Sequence, residues 1–186
     1  MDHSPARRLR RIVTVTVAAV GLAASTVPAA QAAQAQDREG TTRVAVAPAV
    51  VAKLERLNLT AAPTGNSTAA PFNGTVAFRF PITDVKRDGN IIKHAGGARI
   101  SSGHEAIALK RFKIKLGAGK VGAAVVVNGE RVGRAEVFNL AESGRPGLGD
   151  VRLTLTRAAA GAVNSTFGAP AFDAGDNFGF ATVNLD

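Results

Sequence analysis

Val121-Gly122-Ala123-Ala124-Val125-Val126-Val127-Asn128-Gly129-Glu130-Arg131-Val132-Gly133-Arg134-Ala135-Glu136-Val137-Phe138-Asn139-Leu140 decides the fold class. A β-branched run and a second extended segment flank Asn128-Gly129, the dipeptide that best supplies two consecutive positive φ angles in a two-residue hairpin turn. The spacing therefore predicts an antiparallel pair.

Outward from this hairpin, period-two alternation recurs. Glu105 to Leu116 carries Ile107 and Leu109 on one parity and Phe112, Ile114 and Leu116 on the other. A β-bulge near Lys110-Arg111 would keep both sets on the core face, because one extra residue restores the side-chain phase. Ile91 to His94 and Ala98 to Ser101 flank Ala95-Gly96-Gly97, which reads as a second hairpin. Val76, Phe78 and Phe80 alternate with Thr75, Ala77 and Arg79 in a half-buried strand ending at Pro81.

Toward the C-terminus, Glu142 to Gly149 is a glycine-rich loop, followed by alternating Val151, Leu153 and Leu155. Thr156 caps a helix predicted over Arg157 to Phe167, with Ala159, Val163 and Phe167 inward and Gly168 as its stop. A last strand is predicted from Phe178 to Leu185. Toward the N-terminus, Pro48 to Leu57 has helical spacing, 58 to 73 reads as loop with a short extended piece at Leu57 to Leu59, and 36 to 46 reads as a loose leader. The whole is mainly β: seven or eight strands in an antiparallel β-sandwich or partly closed barrel with two short helices. Residues 36–73 form a leader with a short helix and loop, and residues 74–186 form the β-rich domain.

Residues 1–35 have the pattern of a cleavable export signal. Arg7, Arg8, Arg10 and Arg11 precede an apolar run from Ile12 to Ser25, and Ala30-Gln31-Ala32 and Ala33-Gln34-Ala35 offer cleavage sites. The run is shorter than the roughly 20 residues that span a bilayer as a helix. Arg10-Arg11 also admits a twin-arginine route beside the general secretory one. The expected product is secreted or cell-wall associated, with no transmembrane anchor after cleavage. Losing those arginines and Asp2 lowers the formal charge from +9 to +6.

Composition narrows the chemistry. The chain has no cysteine, and its single methionine is Met1, so thiol catalysis, thiolate metal sites and disulfides are excluded. Nine Phe occur with no Tyr or Trp, giving core packing without polar handles. No catalytic constellation stands out, and the expectation is a non-enzyme. Gly117-Ala118-Gly119-Lys120-Val121-Gly122 has dinucleotide-loop spacing, but a strand follows where that chemistry needs a helix N-terminus. Asp173, Asp176 and Asn177, and likewise Asp84, Asp88 and Asn90, read as turns that fit no complete calcium loop. Four Asn-x-Ser/Thr matches, at Asn58, Asn66, Asn73 and Asn164, are incidental.

Two sets of candidate binding residues remain. Arg111, Lys113 and Lys115 share a parity, so a regular strand would space three cations at about 6.6 Å on one face. Such a row suits an anionic cell-wall polymer, whose binding salt would weaken; nucleic acid satisfies the same electrostatics but is not the expected partner of an exported chain. His94 beside the glycine turn and His104 after Gly103 are the only histidines beyond the signal.

From Thr75 onward the chain resembles a family of small secreted or surface proteins from actinobacteria. The resemblance is carried by Gly74-Thr75-Val76-Ala77-Phe78, Phe80-Pro81-Ile82, Ile92-Lys93-His94-Ala95-Gly96-Gly97, the strand Ile107 to Leu116, and Leu153-Thr154-Leu155-Thr156 leading to Asn164-Ser165-Thr166-Phe167-Gly168. It implies a β-rich exported domain and, the family being uncharacterised, assigns no particular activity. The His-x-Gly-Gly turn also resembles the β-rich haem-uptake domains of corynebacterial surface proteins, which would imply haem capture. That family's expected iron ligand is a tyrosine, which this chain lacks, leaving His94 and His104. The expectation is a secreted, envelope-associated binding or accessory structural protein without a resident cofactor. Another envelope protein is a further candidate partner. Haem binding and wall-anion binding stand as alternatives.

Overall fold

The computed structural model describes residues 40–186 except Arg87 and Pro146; the export signal expected over residues 1–35 lies outside the described residues. Strands β1 (Thr41–Val46), β2 (Thr60–Thr64), β3 (Thr68–Phe72), β4 (Thr75–Lys86), β5 (Ile91–His94), β6 (Gly97–Ser102), β7 (Glu105–Lys115), β8 (Lys120–Val127), β9 (Glu130–Glu142), β10 (Val151–Leu155) and β11 (Asn177–Asn184) join helices α1 (Pro48–Arg56) and α2 (Arg157–Phe167). All strand pairings are antiparallel. The order β7-β5-β4-β1-β11-β10-β9-β8 returns to β7, closing an eight-stranded barrel. Closure pairs each of these eight strands on both sides and leaves open edges only on the peripheral β2 and β3.

The hairpin at Asn128-Gly129 forms as its sequence dictates, with φ of 49° and 89° at the two turn residues and Val127 opposite Glu130. The bulge also forms. Arg111 sits at φ 51°, and the β7–β8 register shifts between Lys110 and Lys113. Ile107 and Leu109 before it, and Phe112 and Ile114 after it, all face the interior. Helix α2 has the predicted ends: the Thr156 hydroxyl accepts from Ala159 N at 3.1 Å, and Gly168 is left-handed at φ 62°. Ala159, Ala160 and Val163 are buried, so Ala160 joins the inner face and Phe167 is only partly covered.

Three expectations are corrected. The loose leader contains β1, which lies between β4 and β11; Thr42, Val44 and Val46 point inward while Arg43 and Ala45 point outward. The alternation was in the sequence, but a threonine at one inward position and the charged residues upstream concealed it. The segment 58–73 contains β2 and β3, whose Pro63 and Pro71 are accommodated on peripheral strands where no ladder donor is required. Residues 41–72 therefore belong to the same sheet as the rest, and residue 74 is not a domain boundary.

The third correction concerns Ala95-Gly96-Gly97, which is a bend and not a hairpin. Both β5 and β6 run antiparallel along one side of β7, Lys93 opposite Lys113 and Gly97 opposite Lys110. Gly96, at φ 70°, makes the bend opposite the bulge, and its carbonyl accepts from Arg111 N at 2.8 Å. At Gly97 the issue is space: a Cβ would lie 2.1 Å from the Leu109 carbonyl oxygen. Beyond the bend the neighbouring strand changes from β4 to β2, so the wall between β4 and β7 splits into a β4–β3 part and a β7–β6–β2 part.

Candidate functional site

Side chains do not fill the barrel interior. A cavity of about 360 Å³ runs inside it, lined by residues from most of the strands and both helices. Eight-stranded barrels stand at the size where an interior is either packed solid or holds one small ligand. Here the inward positions of β1 and β8 are aliphatic or small, and Phe78, Phe80 and Phe112 line the wall with Phe80 edge-on to Phe112 at 5.0 Å. Helices α1 and α2 lie near one end: α1 follows β1, α2 follows β10, and Ala47 N donates to Phe178 O where β11 begins. Of the exposed lining residues, Glu55, Thr60 and Ala158 mark this end as the mouth, and Arg99 lies on β6.

Thr42 and His94 lie toward the opposite end. Val46 lies four steps along β1 from Thr42, about 13 Å of strand. Both residues line the cavity and are almost wholly buried, at 3% and 4% exposure. His94 Nδ1 lies 3.2 Å from the Phe112 carbonyl oxygen, and Nε2 lies 2.7 Å from Thr42 Oγ1. A carbonyl only accepts, so Nδ1 carries a proton and donates to it. Burial pushes the imidazole pKa down to about 4, partly opposed by the Phe112 carbonyl, so the ring is neutral near pH 7. Its Nε2 is then a lone pair, and the Thr42 hydroxyl donates to it.

Of the two histidines, the structure brings only His94 to the cavity. His104 is exposed in the turn between β6 and β7, beyond the length of β6. They do not converge. His94 also has both ring nitrogens engaged, so iron coordination would first have to break the bond to Thr42 or to Phe112.

Arg111, Lys113 and Lys115 lie on the outer surface of β7, with Phe112 and Ile114 behind them. Register adds cations that the sequence row did not include. Lys93 stands directly opposite Lys113 on one side, and Lys120 directly opposite Lys115 on the other. Arg134 Nη2 donates to the Arg111 carbonyl at 3.1 Å, bringing a further cation beside the bulge. Two acids partly balance the face: Asp84 pairs with Lys93 at 2.8 Å, and Glu136 with Lys115 at 3.4 Å. The hydrogen bond from Lys93 leads the effects that hold the Asp84 carboxyl below its usual range.

The remaining clusters are structural. Asp176 bonds Lys53 of α1 at 2.6 Å and caps Asp173 N, which lowers its pKa and ties α1 to the turn before β11. The glycine loop at 117–119 is a single 3₁₀ turn leading into β8. Asn164 holds the chain after α2, donating to Phe172 O and accepting from Ala171 N and Phe172 N. Among the described residues no group of three His, Asp or Glu is placed to hold a metal ion, and no helix is long and apolar enough to cross a membrane.

Comparison with known families, with curated proteins and with solved structures finds no match for this chain.

Proposed function

We propose that the chain is an exported, non-enzymatic binding protein that carries a small apolar molecule inside its barrel. The cavity supports this reading. Leaving 360 Å³ unfilled by side chains forgoes packing worth up to about 9 kcal/mol at roughly 24 cal/mol per Å³, comparable with the whole stability of a typical domain. A sequence under no demand to keep that space would gain by larger side chains at Ala98, Ala135, Ala162 or Ala181, all of which line it. An apolar ligand recovers the missing contacts.

Size sets the ligand class. A cavity of about 150 Å³ accepts benzene, so 360 Å³ at the same density takes roughly a dozen to fifteen non-hydrogen atoms. Haem has roughly forty, and the neutral, doubly bonded His94 offers no free ligand, so this geometry lends the haem alternative no support. Titration with the uncharged, polarity-sensitive dye 4-(dimethylamino)benzonitrile, which is small enough for this volume, tests the proposal. Saturable one-to-one fluorescence enhancement is expected, weakened at least tenfold in Ala181→Phe, whose ring would occupy the cavity centre. No saturable binding, or an unchanged affinity in a folded Ala181→Phe variant, overturns it.

A second reading, attachment to a wall polyanion, is favoured by the outer face of β5, β7 and β8. Like charges directly opposite one another weaken a sheet, yet Lys93 faces Lys113 and Lys115 faces Lys120. Retention on envelope fragments should fall as salt rises and be lost in Arg111→Glu/Lys113→Glu/Lys115→Glu; retention unchanged by both would end this reading.

A further inference from the structure

The hydrogen-bond chain toward the closed end of the cavity restricts what can be bound there. Its direction is fixed at one end by the Phe112 carbonyl, which has no proton to give. His94 Nδ1–H therefore points to Phe112, and the Thr42 O–H points to His94 Nε2. Every donor of the chain is used inside it. Thr42 Oγ1 keeps lone-pair capacity, since a hydroxyl oxygen accepts as well as donates. No cation compensates: the charged residues at the cavity wall are Glu55 and Arg99, both exposed, and Arg99 lies on the outward parity of β6 between the inward Ala98 and Ile100.

Resting on the reading of the cavity as a ligand site, we propose that the closed end is an acceptor-only floor that receives an uncharged ligand bearing a hydroxyl, which donates to Thr42 Oγ1. A purely apolar end loses nothing there, because the floor is already satisfied without a ligand. An ether or ketone oxygen meets only lone pairs and gives up its hydration without return. A carboxylate meets lone pairs in an apolar enclosure and is rejected most strongly. A molecule with one acidic end still enters by its other end, so discrimination against acids shows only when both ends are polar.

The test uses displacement of 4-(dimethylamino)benzonitrile from the whole protein at pH 7.5 by matched compounds. 1,10-Decanediol should bind at least a hundredfold more tightly than decanedioate, and 1-decanol three- to tenfold more tightly than its isomer methyl nonyl ether. Nitrogen-15 NMR of the His94 ring supplies a local readout. Donation to Thr42 Oγ1 strengthens the Thr42 to His94 bond by polarisation, so the Nε2 resonance should move with 1-decanol and stay with the ether. Diacid binding within threefold of the diol, or a Nε2 resonance indifferent to the alcohol, overturns the floor chemistry while leaving an apolar carrier standing. Failure of the dye itself to bind removes both.

Discussion

Acidifying the protein from pH 7.5 to pH 4.5 should weaken its fold through one side chain. His94 has an ordinary pKa of 6.5 when unfolded and about 4 in the barrel, where burial disfavours the imidazolium. Between those values the unfolded chain binds the proton and the folded chain does not, so stability rises with pH across that window. The contribution is fully present above about pH 6.5 and is lost as pH falls toward 4. The shift corresponds to about 3 kcal/mol in total, of which roughly 2 kcal/mol is gone by pH 5. For a domain of this size those roughly 2 kcal/mol are a fall in Tm of about 4–8 °C. Urea unfolding at half-unit pH steps measures it directly. Asp84 and Asp176 have lowered values, so they contribute stability above about 3.8 that is lost only as pH falls below it, outside the His94 window. In His94→Gln the slope between pH 4 and 6.5 should vanish, whatever the substitution costs at neutral pH. A wild-type profile flat across that interval, or an equal slope in His94→Gln, would refute the assignment of a neutral, buried ring.

Two backbone predictions accompany it. Gly97→Ala should destabilise by about 3 kcal/mol in chemical denaturation, because its Cβ meets the Leu109 carbonyl at 2.1 Å and forces β6 away from β7; stability within 0.5 kcal/mol of wild type would contradict that approach. Thr156→Ala should cost about 1 kcal/mol through loss of the α2 cap, whereas Thr156→Ser should recover most of it.

Local chemistry was legible in the sequence wherever it was self-contained. The phase change across Lys110-Arg111 predicted a bulge before any partner strand was known, because a parity error must be repaired within the strand itself. Thr156 and Gly168 marked the ends of α2 for a similar reason: both act on groups within one turn. What sequence concealed was partnership. Ala95-Gly96-Gly97 reads as a reversal, yet the segment continues along β7, since the bulge across from it needs a bend and not a turn. Strand β1 was hidden by its inward threonine and the charged residues before it, and that threonine is Thr42. His94 was visible as a candidate, but its role depends on a threonine 52 residues away. The cavity itself could not be read at all, because an enclosed volume exists only once β1 has found β11.

That last pairing also governs the order of events in folding. Thr41 lies opposite Asn184 and Val46 opposite Gly179, so one wall of the barrel joins its first and last strands. The hairpins β7–β8 and β8–β9 close short loops and can form early, whereas the β1–β11 ladder must close a loop of about 140 residues, a late event on entropic grounds. Until β11 is present, β1 and β10 both remain open edges, and a growing chain has no barrel. Completion of the cavity is thus coupled to arrival of the C-terminal strand.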